Sequence, residues 1–150
     1  MSEQLAGLDL VLRRTELETA LARDVDGSVP PGWQSLKFVA VATGSVIESL
    51  IYVKRDGVEE RENASDDSFD LLLELRKLMY RPGCGTWFSL TMNLDNQGHL
   101  AANYNYDEEA DWSFPLDDES YVEDQRIFPR NQEHIPAWLA PKLGLDGESN

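Results

Sequence analysis

Residues 86–94, TWFSLTMNL, alternate without a break. Phe88, Leu90, Met92 and Leu94 fall on one side, and Trp87, Ser89, Thr91 and Asn93 on the other. A period of two sustained this long is a strand with one buried face. Asp95-Asn96-Gln97-Gly98 supplies a turn, with Gly98 suited to a left-handed backbone, and His99–Tyr106 is the return strand. A second hairpin precedes it: Leu36–Thr43 and Val46–Lys54 are short, apolar and β-branched, with Gly44-Ser45 between them. In its second strand Ile47, Ile51 and Val53 share a face with Ser49, and Val46, Leu50 and Tyr52 share the other with Glu48. Asp56-Gly57 offers a further turn into Val58–Glu62, a charged segment that suits a sheet edge. Hairpins need no crossover, and no βαβ spacing occurs. The pattern predicts an α+β fold, a mostly antiparallel sheet of four or more strands with helices packed on one face.

Two helices frame the hairpins. Residues 3–24 carry two apolar lines, Leu5, Leu8 and Leu12 beside Leu10, Leu17 and Leu21, while Arg13, Arg14, Glu16, Glu18 and Arg23 keep the rest wet. Gly7 weakens the first turn, and the breakers of Asp26–Gly32 end the helix. Residues 66–80 form the second, with Ser65 as N-cap, Asp66, Asp67 and Asp70 at the positive end of the dipole, and Arg76, Lys77 and Arg81 at the negative end. Phe69, Leu72, Leu73, Leu75, Leu78 and Met79 give it a wide apolar face; Phe69, Leu72, Leu73 and Met79 are expected against the sheet. The last third is rich in loops, with helices expected at Glu119–Arg126 and near Ile135–Lys142. One domain over residues 1–150 accommodates all of this, with a frayed tail from about residue 144.

The formal net charge is −15, and it is uneven: residues 83–150 hold 13 acids and three bases. Such a balance argues against nucleic acid and against an anionic membrane as partners, and favours fast encounter with a cationic protein. A single cysteine, Cys84, cannot form an internal disulfide. The early acids of the N-terminus do not read as a signal peptide, and no apolar run reaches the roughly 20 residues of a membrane span, so the cytoplasm is the expected compartment.

From Asp107 through Asp124 there are nine acids and no Lys, Arg or His. The segment follows directly on the strand ending in Tyr104 and Tyr106, and it carries Trp112 and Phe114. Aromatics can anchor a partner while carboxylates steer it. Tyr104, Tyr106, Asp107, Glu108, Asp111 and Trp112 are therefore expected to share one rim of the sheet and to form part of a partner site. The alternative is a solvated acidic loop whose aromatics dock back on the core.

Other chemistry is thinly represented. Cys84, in Pro-Gly-Cys-Gly, would need a base, and His99 and His134 are the only histidines. Two histidines without a CxxC do not make a zinc site. Asp107, Glu108, Glu109 and Asp111 could ligate a hard cation or act as acid and base, but their spacing is not that of an EF-hand loop and nothing selects a pair. None of the common nucleotide, hydrolase or zincin motifs is present. The expectation is a binding protein rather than an enzyme, with no catalytic residues, no cofactor and no metal. An acidic-loop metal protein or enzyme, and a general interaction module, remain as alternatives.

The order of these features resembles the YezG-like family of bacterial immunity (antitoxin) proteins of polymorphic toxin systems. The carrying residues are an N-terminal helix running into Pro30-Pro31-Gly32-Trp33, the strand end Ser49-Leu50-Ile51-Tyr52-Val53, and the helix Phe69–Tyr80. After these come Gly85-Thr86-Trp87-Phe88-Ser89-Leu90, the turn Asn96-Gln97-Gly98, and Tyr104-Asn105-Tyr106-Asp107. The likeness covers roughly residues 5–112. It implies an α+β fold, no enzymatic activity, and binding of a cognate toxin, often a nuclease. Nucleases tend to be basic, which suits an acidic inhibitor. The Pro/Trp-rich ending, IFPRNQEHIPAWLAPKL, lies outside the resemblance.

Overall fold

Five strands form one antiparallel sheet in a computed structural model that describes residues 2–145. In chain order the elements are α1 (Ser2–Gly27), β1 (Ser35–Thr43), β2 (Val46–Arg55), β3 (Val58–Glu62), α2 (Asp66–Leu78), β4 (Ser89–Asp95), β5 (Leu100–Asn105) and α3 (Asp118–Ile127), followed by 3-10 turns at Gln132–His134 and Pro141–Leu143. The sheet order is β3-β2-β1-β4-β5, so β3 and β5 are its edges. The α+β reading holds, and Val58–Glu62 is the charged edge strand that the sequence offered. The expected single helix near 135–142 is replaced by the two short turns, in a segment interrupted by Pro136 and Pro141. The frayed tail expected from about residue 144 lies beyond residue 145 outside the described residues; Gly144 and Leu145 themselves close the last turn through hydrogen bonds to Pro141 O (3.0 Å) and Ala140 O (2.9 Å).

The pleat places Leu36, Phe38, Ala40 and Ala42 of β1, Ile51 and Val53 of β2, and Leu90 and Met92 of β4 in one core with Leu17, Leu21 and Val25 of α1 and Leu72 and Leu75 of α2. The register joins these faces: Leu36 pairs with Val53 and Leu94, Phe38 with Ile51 and Met92. The β2–β3 turn uses Asp56 and Gly57 at φ 50° and 77°, as a two-residue hairpin turn of this hand requires.

Several details depart from expectation. The strand begins at Ser89, not Thr86. Ser89 pairs with Asn105, yet the Phe88 N–H also donates to Asn105 O (2.7 Å), so two consecutive residues face one across the ladder. This is the geometry of a β-bulge, and it resets the faces: Trp87, expected outside, is buried in the main core, while Phe88 enters a second cluster with Tyr121 and Leu139. The Leu8–Leu12 line of α1 is exposed, because packing begins in earnest only at Leu17. Phe69 is likewise exposed, and Leu75 is fully buried. Ser65 does stand at the N-cap of α2, but its hydroxyl hydrogen-bonds the Asp24 carboxylate of α1 (2.7 and 2.8 Å) and makes no cap bond.

Arg76 stands at the negative end of the α2 dipole, as the sequence indicates, and is only 1% exposed. Its Nη1 meets Asp124 Oδ1 at 2.5 Å and its Nε donates to Trp87 O (2.9 Å). The same carboxylate accepts the Gly44 N–H of the β1–β2 turn (2.9 Å). One ion pair thus ties α2 to α3 and to the tip of the first hairpin.

Candidate functional site

The acidic segment begins where β5 ends, and its first turn is built by Asn105. The Asn105 side-chain oxygen accepts the N–H groups of Asp107 (3.2 Å) and Glu108 (2.9 Å), and its Nδ2 donates to Glu108 O (2.8 Å) and Ser89 Oγ (3.1 Å). An Asn side chain that mimics a backbone turn in this way fixes the exit direction of the chain.

Arg130 then clamps the turn from below. Its guanidinium donates to Thr86 O (3.2 Å), to Tyr106 O, to His134 O (3.0 Å) and to Asp107 Oδ1 (3.3 Å), and it stacks 4.8 Å from the Phe88 ring centroid. Burial lowers the Arg130 pKa, and the Asp107 carboxylate opposes that shift. The Trp138 indole N–H donates to Asp107 O (2.8 Å), and Lys142 Nζ lies 3.5 Å from Glu109 Oε2. The carboxylates themselves point outward: the Asp107 side chain is 77% exposed even with Arg130 beside it. The result is a rim of charge on a rigid backbone.

Tyr104, Tyr106, Asp107, Glu108 and Asp111 line a single groove of about 850 Å³ together with Arg14 and Arg81. Trp112 does not join them. It turns to the opposite face of the sheet, beside Val39, Leu50 and Tyr52, and packs edge-on against Phe114 at 5.7 Å. Ser113 holds that crossing by donating its N–H to Glu48 Oε1 (3.0 Å). The two tyrosines are partly buried, and both hydroxyls are engaged: Tyr104 donates to Glu18 Oε2 and Tyr106 to Met79 O, each at 2.7 Å. Burial raises both phenol pKa values, and the Glu18 carboxylate adds to the effect at Tyr104. Arg81 lies 4.6 Å from the Tyr106 ring.

Arg130 and Trp138 were missed as parts of this site. The available signal was scarcity: Arg130 is one of only three basic residues after residue 82. His99 Nδ1 pairs with Asp95 Oδ2 at 2.7 Å, and the backbone bond from the His99 N–H is the leading reason that Asp95 has a lowered pKa. Cys84 is a partly buried free thiol. Among the described residues no three His, Cys, Asp or Glu side chains are grouped to hold a metal ion, and no helix is long and apolar enough to cross a membrane.

Immunity protein YezG of Bacillus spizizenii is 26% identical to this chain over 110 residues, covering 62% of this chain and 68% of that protein. No protein-family profile matches the chain.

Proposed function

We propose that this chain is an immunity-type binding protein that neutralises a cognate toxin by direct, stoichiometric binding, and that the toxin is basic and nuclease-like. The observation that carries the reading is the likeness to an immunity protein over 62% of the chain. The acidic rim gives it a physical form. Asp107 and Glu108 stand on a turn already ordered by Asn105, Arg130 and Trp138, with Asp111 on the same groove, so little backbone entropy is lost when a cationic surface docks. A nuclease must carry cationic charge to hold phosphate, and an inhibitor that covers that charge blocks substrate directly.

The test is titration of the purified protein into a toxin domain encoded beside its gene, with nucleic-acid cleavage as the readout. Complete inhibition at one molar equivalent is expected. Undiminished cleavage at excess protein would reject the proposal, and so would inactivation by a small fraction of an equivalent, which would mean turnover.

A further inference from the structure

The two edges of the sheet are treated differently. β3 reads Val58-Glu59-Glu60-Arg61-Glu62, is exposed throughout and carries a charge at four of its five positions. That is how edge strands are kept from pairing with other chains. β5 reads Leu100-Ala101-Ala102-Asn103-Tyr104-Asn105 and carries no charge at all. Just before β5, His99 O accepts the Asp95 N–H (3.1 Å), and at its end Asn105 O accepts the Phe88 N–H (2.7 Å). Odd-numbered residues therefore bond toward β4, and antiparallel alternation turns the N–H and C=O groups of Leu100, Ala102 and Tyr104 away from it. β5 is the last strand of the sheet.

A groove lies at each end of this edge. At the Leu100 end, one of about 800 Å³ runs between β5 and α1, with Ala22, Trp33, Leu94 and Leu100 as its apolar wall. At the Tyr104 end, the 850 Å³ groove sets Asp107, Glu108, Glu109 and Asp111 against Arg14 and Arg81, a surplus of negative charge. We infer that β5 receives an extended segment of a partner protein as a sixth strand. That segment places an apolar side chain on the Trp33–Leu100 wall and Lys or Arg beside Asp107 and Glu108. Main-chain bonds to an edge give affinity, and alternate side chains entering flanking pockets give selectivity. The inference is independent of the toxin reading, since an interaction module with another partner would use the same edge.

The test uses the whole protein and a displayed library of random decapeptides. Selected peptides are expected to alternate β-branched or aromatic residues and to carry Lys or Arg at one end. In the wild type they should slow amide hydrogen exchange at Leu100, Ala102 and Tyr104 and leave β3 unchanged. Ala102→Pro removes an outward N–H where an edge tolerates proline, and should weaken peptide binding about tenfold or more. The exchange measurement reads the same contact without any substitution, so a poorly folded variant does not blunt the test. Selection of no peptide that protects β5, or peptides that bind equally well to folded Ala102→Pro, would overturn the inference. Concentration-dependent dimers of the free protein with the same three amides protected would also overturn it, by assigning the edge to a second copy.

Discussion

Carboxylates and tyrosines on the same groove are expected to act at different steps. Asp107 and Glu108 are exposed, and Asp107→Asn keeps an oxygen to accept from Arg130, so neutralising them changes the field more than the contacts. The triple substitution Asp107→Asn, Glu108→Gln, Asp111→Asn should slow association with a basic partner several-fold at low salt and flatten its salt dependence, with dissociation little changed, as read by stopped-flow binding. Equal association rates for this variant and the wild type would remove the rim from the mechanism. The tyrosines predict a pH effect. Tyr104, Tyr106 and Tyr121 all have phenol pKa values raised first by burial. A raised folded-state value means that their contribution is intact below the unfolded pKa of about 10. It is lost as pH climbs above that, because only the unfolded chain releases the protons. Part of the tyrosinate absorbance should therefore appear only together with loss of helical circular dichroism. Complete tyrosine ionisation in a protein that is still folded would contradict this.

Among the elements, α2 and α3 depend on each other through Arg76 and Asp124. Removing one partner leaves a buried charge without compensation, so Asp124→Ala should cost about 3–5 kcal/mol in urea unfolding. The double variant Asp124→Leu with Arg76→Met removes the uncompensated charge but strips the Gly44 N–H and the Trp87 carbonyl of their partners, so it should recover only part of that loss. Leu72→Ala, at a fully buried position, should cost about 2–5 kcal/mol by the same measurement. Gly44→Ala should also destabilise: Gly44 sits at φ 61°, and a Cβ there would lie 2.7 Å from Ser120 O of α3. The strands were readable from the sequence because their alternation is a local property. The registers of Phe38 against Ile51 and of Met92 against Ala102 follow from a period of two and two short turns, whereas the pairing of Phe38 with Met92 joins strands far apart in the chain. Trp87 was misplaced because a bulge changes face without changing the residue pattern. Arg76 and Arg130 were unreadable for another reason. Each is a single cation whose carboxylate partner lies 48 or 23 residues away in the chain, and periodicity carries no information across such distances. For the candidate site, the five groove residues follow from continuity of β5 into its loop, whereas Trp112 departs because Ser113 is drawn to Glu48 across the sheet.

For the whole molecule, a net charge of −15 on 150 residues sets two salt effects in opposition. Self-repulsion opposes the compact state, and roughly 0.1 M salt screens it over about 10 Å. The Tm should therefore rise as salt is added from a low starting value, while the rate of association with a basic partner falls. A Tm that drops over the same range would mean that specific ion pairs outweigh the general repulsion. Arg130 gives the acidic rim a dependence on time as well as on place. Its guanidinium bridges Thr86, Tyr106, Asp107 and His134, so the rim is shaped by residues that emerge from the ribosome well after the rim itself. A growing chain that has released its five strands but not yet residue 130 lacks the guanidinium that holds the rim, so the rim takes its final shape only in the closing stretch of synthesis.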